Sequence, residues 1–293
     1  MSSIPWNLRG DVMIGVFDSG HGGLTVLRTL ADRLPGRGFV YLGDHANAPY
    51  GERDAEDVYN LAIENIERLF RIDCRLVILA CNTAAAVALR RLQRTWLDDA
   101  WAGRRVLGVL VPVVEAIVRQ PWHVEEPRTG PDAPSETVAI FATRRTVECR
   151  AYVGEILKRA PDVLIVQQAC PGMVDAIEAG APQDEIHGLV EGFVAELLER
   201  MQGVLPDVAV LGCTHYGLAA RAFRKALPPG TAILHQPDLV AESLADYLVR
   251  HPEFAAEPQE AGVAQFLTTG DPVTVSRLAS RFYGADVTFR GFS

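Results

Sequence analysis

The sequence predicts an α/β protein of two pseudo-symmetric, doubly wound domains, with mainly parallel sheets and an active site in the cleft between them. Short apolar runs alternate with amphipathic helical patterns from Met13 to Phe289, the order that builds parallel sheets covered on both faces. Leu76-Val77-Ile78-Leu79-Ala80-Cys81-Asn82-Thr83 and Val208-Ala209-Val210-Leu211-Gly212-Cys213-Thr214-His215 are two versions of one design. Each reads as a buried strand that delivers a thiol to its C-terminal end, where open α/β sheets place ligands. Residues 14–19 (IGVFDS) also resemble residues 138–143 (VAIFAT), and a similar length of chain separates each from its cysteine. The first domain is expected over residues 1–104 and again over 238–293, carrying Asp18 and Cys81. The second is expected over 105–237, carrying Cys213 and His215.

Composition is that of an ordinary globular chain: 293 residues, 48% hydrophobic and 22% charged, enough for a large core in each half. A net charge of −9 offers no electrostatic footprint for nucleic acid or an anionic membrane, so neither is expected as a partner. Five cysteines, Cys74, Cys81, Cys149, Cys170 and Cys213, are thinly spread and lack a C-x-x-C pair, which argues against a disulfide framework. Residues 1–11 carry no apolar signal region and no stretch approaches a membrane span, so a cytoplasmic protein with reduced thiols is expected.

Taken in order, Met13-Ile14-Gly15-Val16-Phe17 is the first strand and stops at Asp18-Ser19-Gly20-His21-Gly22-Gly23, where a helix begins. The glycines let a ligand approach the backbone, and amides at a helix start favour a carboxylate. The turn is no G-x-G-x-x-G fingerprint, so a dinucleotide is not expected; a tight turn and helix cap account for Asp18 and Ser19 equally well. Phe39-Val40-Tyr41-Leu42 is the second strand. It ends in a shaped polar loop, Gly43 to Gly51, in which His45 reads as a surface residue. An amphipathic helix follows over 54–71, then the Cys81 strand and an Ala-rich helix over 83–94. After Gly103 the pattern restarts with a strand over 106–111, Pro112 and a short helix over 113–118. Residues 121–137 are proline-rich and aperiodic and read as a mobile surface loop. A strand over 138–141 ends near Thr143, and a helix runs on through Tyr152 and Lys158. A strand over 163–166 ends near Cys170-Pro171-Gly172, and a helix over 184–201 feeds the Cys213 strand. Strand 232–234, helix 239–250, strand 265–268, helix 273–282 and strand 287–289 close the chain.

A buried cysteine is ordinarily a small hydrophobe, and Cys74, Cys149 and Cys170 are read that way. Cys81 and Cys213 sit where a strand meets a helix, among Asn82, Thr83 and Thr214. Helix N-termini and nearby donors favour thiolate. His215 lies two residues after Cys213, and Asp18 is expected beside Cys81 across adjacent strand ends. A Cys213 nucleophile with His215 would leave Cys81 idle. A metal site from Cys81, Cys213 and His215 lacks a clear fourth ligand, so none is expected. A two-base proton transfer uses both thiols, one on each face of a substrate, and inversion of a stereocentre is the reaction that needs such symmetry.

Four motifs in order, Asp18-Ser19-Gly20-x-Gly22-Gly23-Leu24, Pro49-Tyr50-Gly51, Cys81-Asn82-Thr83-Ala84 and Gly212-Cys213-Thr214-His215-Tyr216, together resemble those of glutamate racemases, in the aspartate/glutamate racemase superfamily. The resemblance runs on through Cys170-Pro171, Ile177-Glu178-x-Gly180 and Thr269-Gly270-Asp271. It implies a homodimeric, cofactor-independent enzyme that interconverts L- and D-glutamate and supplies D-glutamate for peptidoglycan. By it, Cys81 and Cys213 are the acid/base thiols, Asp18 and His215 their auxiliaries, and Glu178 a further acid of the second half. Asp18, Ser19, Pro49, Tyr50, Gly51, Asn82, Thr83, Thr143, Thr214 and His215 would hold the substrate. His21, Asp54 and Gly217 depart from the family pattern, the first and last beside the pocket. The alternatives are racemisation of aspartate, another amino acid or a hydantoin, a cysteine-dependent hydrolase or lyase, and a binding protein.

Overall fold

The computed structural model describes residues 13–124, 126–255 and 264–292; the expectation about residues 1–11 lies outside them. The strands are β1 (Ile14–Asp18), β2 (Phe39–Gly43), β3 (Leu76–Leu79), β4 (Arg105–Gly108), β5 (Thr137–Ala142), β6 (Leu164–Ala169), β7 (Val208–Gly212), β8 (Ala232–Leu234), β9 (Ala264–Thr268) and β10 (Arg290–Gly291). They form a six-stranded sheet in the order β10-β9-β2-β1-β3-β4 and a four-stranded sheet in the order β6-β5-β7-β8. Every pairing is parallel. Each residue of β1, β2 and β3 is buried, which is why these segments read as unbroken apolar runs: helices cover both faces. Among the described residues no helix is long and apolar enough to cross a membrane.

The repeat is visible in the strand order. The arrangement β2-β1-β3-β4 in the first sheet recurs as β6-β5-β7-β8 in the second. Register makes the correspondence residue by residue. Phe17 pairs with Leu79 in one sheet and Phe141 with Leu211 in the other. Counting on from these pairs equates Ser19 with Thr143 and Cys81 with Cys213.

Some boundaries differ from the sequence reading. β4, expected to open the second domain, pairs with β3 at the edge of the first sheet, so the chain leaves that sheet after Gly108. β4 is also shorter than expected, because the helix Leu110–Val118 starts early and takes Pro112 into its first turn, where proline costs no hydrogen bond. The helix after Thr143 is two pieces, Arg144–Glu148 and Ala151–Arg159, broken at Arg150 with φ of 54°. The last strand is Arg290–Gly291, just beyond the expected 287–289. Asp54, a departure from the family pattern, caps the helix Ala55–Arg71: its Oδ1 accepts the Glu56 and Asp57 amides, each at 3.0 Å. That is the preferred use of an aspartate before a helix.

Parallel strands share one C-terminal edge per sheet. The first edge carries Asp18, Asp44 and Cys81; the second carries Thr143, Cys170 and Cys213. The two edges meet directly: Thr83 Oγ1 lies 3.0 Å from Thr143 Oγ1, and Thr214 Oγ1 donates to Asp18 Oδ2 at 3.3 Å.

Candidate active site

Cys81 is the residue before the helix Asn82–Thr95, and the Ala84 amide points at its Sγ from 3.5 Å. Ser19 Oγ lies 3.5 Å from the same sulfur. Only 5% of Cys81 is exposed. Burial pushes its thiol up to about 11, with the Asp18 carboxylate acting in the same direction and hydrogen bonds from Ser19 and Ala84 opposing it. Asp18 itself is fully buried. Burial raises its pKa, against the nearby His215 and hydrogen bonds from the Gly20 and Gly23 amides and from Thr214. The Gly20 bond is 2.8 Å long. A carboxyl group held up in this way is a better proton acceptor than a free one.

The Cys213 side is built differently. His215 Nδ1 lies 3.8 Å from Cys213 Sγ, and His215 Nε2 lies 2.8 Å from Glu178 Oε1. Glu178 stands on the short helix Met173–Ala179. Burial works against its ionisation, but hydrogen bonds from His21 and His215 outweigh that and hold the carboxyl below its usual range. An ionised Glu178 accepts from His215 Nε2–H, so Nδ1 is the ring nitrogen left to accept from the thiol. Burial pushes the Cys213 thiol well above its ordinary value, and Cys81, Asp18 and Cys170 reinforce this. Burial therefore favours the protonated form of both thiols. The Cys213–His215–Glu178 chain offers one of them a route to thiolate.

Hydroxyl groups line the meeting edges. Thr83, Thr143 and Thr146 form one cluster, with Thr143···Thr146 at 3.0 Å and Thr146 donating to Thr83 at 3.4 Å. Gly51 packs against Thr143, which a Cβ on Gly51 would meet at 2.7 Å. The Pro49-Tyr50-Gly51 loop is anchored by the Tyr50 hydroxyl, which donates to Asp44 Oδ2 at 2.6 Å. Asp44, wholly buried, also accepts from Asn47, Asn65 and Thr269. Asn82 is turned onto a clasp: its Oδ1 accepts from Tyr152 at 2.8 Å and from Gln236 at 3.0 Å, and its Nδ2 donates to Gln236 at 2.8 Å. Tyr152 and Gln236 escaped the sequence reading because their partners lie far along the chain, and Asp44 because nothing in its polar loop marks it as buried.

Two minor expectations are corrected. His45 is half-buried rather than a surface residue. Its ring meets that of His21 edge-on at 4.3 Å, and burial pushes its pKa down to about 3. Cys149 is exposed, unlike the buried Cys74 and Cys170. It follows the helix Arg144–Glu148, and its thiol donates to the Thr146 carbonyl at 3.2 Å. A cavity of about 1300 Å³ opens among the helices Asn82–Thr95, Leu110–Val118, Ala151–Arg159 and Gln236–Arg250, but neither paired thiol nor Asp18, Glu178 or His215 lines it.

Gly22 sets the closeness of the two edges. A Cβ there would lie 2.2 Å from Thr214 Oγ1 and 2.5 Å from His215 Nδ1. Gly22→Ala is expected to displace both side chains and lower kcat/KM by about 100-fold, since an ångström of misplacement costs about that much. The helix beyond would still form, so the melting temperature should move by only a few degrees. Steady-state kinetics together with thermal melts check this, and unchanged kinetics would mean that the edges stand further apart in solution.

No family model matches the chain. Among curated proteins, the glutamate racemase of Phenylobacterium zucineum is 47% identical over 281 residues, covering 94% of this chain and 98% of its own. That of Paracoccus denitrificans is 49% identical over 278 residues with the same coverage. Among solved structures, a glutamate racemase isoform from Bacillus anthracis superposes with a TM-score of 0.82 at 25% identity, covering 97% of this chain and 98% of its own.

Proposed function

The chain belongs to the glutamate racemase family, and from that premise we propose that it interconverts L- and D-glutamate by passing the Cα proton between Cys81 and Cys213. The observation that carries this reading is the repeat: register equates the two cysteines, and their sheet edges meet. A substrate held between those edges offers one face of Cα to each thiol, so either hand can be deprotonated and returned as the other.

The proton beside a carboxylate is weakly acidic, and the protein has to make its removal possible. As glutamate enters, Cys213 gives its proton to His215 Nδ1, and Glu178 stabilises the resulting imidazolium. On the opposite face Asp18 serves Cys81. The small hydroxyls Ser19, Thr83, Thr143 and Thr214, with the backbone at Gly51, hold the ammonium and carboxylates. Pro49 and Tyr50 shape that loop, and Asn82 fixes the helix that Cys81 begins. Fixed donors around a water-poor site stabilise the carbanion where no organic cofactor is invoked. With Cys81 and Cys213 only 5% and 8% exposed, substrate enters as the edges part and reacts once they close. Domains that follow the two sheets, a homodimer, a reducing cytoplasmic location and a supply of D-glutamate to peptidoglycan complete the proposal.

Incubation with L-glutamate in deuterated buffer tests it. Racemisation with deuterium at Cα is expected; ammonia release would indicate a lyase, and faster turnover of aspartate or a hydantoin would overturn the substrate assignment. The raised thiols give a second test. Inactivation by iodoacetamide without substrate should be slow at pH 7 and rise about tenfold per pH unit toward pH 10, because only thiolate reacts. A rate already flat at pH 7 would show a thiolate present before substrate arrives.

A further inference from the structure

His21 lies in the glycine-rich turn, outside the chemistry drawn so far. Its ring is buried and stacks on Phe282 with centroids 5.3 Å apart and planes 22° apart. Its nitrogens face two acceptors: Nε2 is 3.1 Å from the Val275 carbonyl, and Nδ1 is 3.3 Å from Glu178 Oε1. The carbonyl can only accept, so Nε2 carries a proton. When Glu178 is ionised it can only accept, so Nδ1 donates to it. One carboxylate oxygen is thus bracketed by two histidines, His21 from the first sheet's edge and His215 from the second's.

We propose that His21 is a positioning residue for the Cys213 arm: its Nδ1–H fixes Glu178 as a carboxylate against His215 Nε2, which leaves His215 Nδ1 free to accept the thiol proton. The inference rests on the reading that Cys213 moves the Cα proton. The surroundings fit. Val275 and Phe282 belong to the helix Pro272–Tyr283, so His21 is held from behind while it donates forward. His45, edge-on to His21, is kept neutral by burial and by the neighbouring His21. The Tyr41 hydroxyl donates a hydrogen bond to the Gly20 carbonyl, and Arg281 donates to the Ile177 carbonyl at 3.3 Å rather than to Glu178. Asp18 also interacts electrostatically with His215. The two histidines are therefore the donors that face Glu178. An aliphatic residue at position 21 would leave that carboxylate a single partner.

The test compares His21→Leu, His21→Asn and His21→Gln in both reaction directions across pH. Asparagine places an N–H where Nδ1 stands, whereas glutamine reaches toward Val275. In His21→Leu the Glu178 carboxyl loses a hydrogen-bond donor, so the acidic limb of kcat should move up by about one pH unit. The loss should be confined to the acid side, approaching roughly tenfold below the displaced limb and vanishing toward neutral pH, with KM within a few fold. His21→Asn should restore the limb; His21→Gln should not. A purely structural role would lower kcat equally at every pH, and that result, or equal limbs for Asn and Gln, overturns the proposal. Should His21→Leu fail to fold, the Asn and Gln pair decides alone. Failure of the underlying reading looks different: Cys213→Ala or Glu178→Gln would then keep wild-type turnover whatever stands at position 21.

Discussion

Cys81→Ala and Cys213→Ala are each expected to abolish net racemisation, lowering kcat by about 10³–10⁴-fold or more, the range of a lost general acid or base. Each variant should nevertheless keep one half of the chemistry. The remaining thiol can still remove a proton from the face it meets, exchange it with solvent, and return a deuteron to the same face. In deuterated buffer one variant should label only L-glutamate and the other only D-glutamate, each with retention. Proton NMR of the Cα position reads this directly. Near-wild-type turnover by either variant would sink the two-thiol assignment, and labelling of both enantiomers by one variant would place both proton transfers on a single face. The fold should survive both changes. Cys213 makes its side-chain contact within the site at His215, and Cys81 contributes a weak thiol cap whose loss costs at most about 1 kcal/mol.

What the sequence made legible was what local pattern encodes. An apolar run ending in a cysteine and a helix start reads as a strand with a functional tip, and the similarity of the two runs was enough to find the repeat that the strand order then shows. Pairing across the chain was not legible. β4 follows a glycine break and resembles a new beginning, yet nothing in four residues says which sheet will accept its hydrogen bonds. The same holds for polar partners. His21 stood out as a histidine among glycines, but its partners Glu178 and Val275 lie 157 and 254 positions away. Asn82 looked like a substrate ligand, while the amide that claims it, Gln236, lies 154 positions on. Asp44 was passed over inside a polar loop, although burial with four donors makes it the anchor of Pro49-Tyr50-Gly51. Buried polar groups must find partners, but only the assembled fold reveals which.

Asp18→Asn is expected to separate catalysis from stability. Asparagine preserves the shape: its Oδ1 can still accept the Gly20 amide, and its Nδ2 can donate to Thr214 where the hydroxyl now donates to Oδ2. The variant has no carboxylate to take a proton on the Cys81 side, so kcat should fall by about 10²–10³-fold, more in the direction that uses Cys81 as base. Stability should move the other way. The folded-state pKa of Asp18 is raised by burial, so the folded protein binds a proton that the unfolded chain has released once pH exceeds about 4, the ordinary aspartate value. Wild-type stability therefore declines with rising pH through the interval between the unfolded and folded pKa values and stays lowered above it. The neutral amide of the variant carries no such penalty. Urea unfolding should show Asp18→Asn more stable than wild type at pH 7.5, with the gap closing as pH falls to about 4. A variant that is less stable at pH 7.5, with a deficit that shrinks on acidification, would mean that hydrogen bonds from Gly20, Gly23 and Thr214 outweigh burial and that Asp18 is a stabilising anion. In that case Asp18 could not be the proton acceptor for Cys81, and the two faces of the site would differ more deeply than the repeat implies.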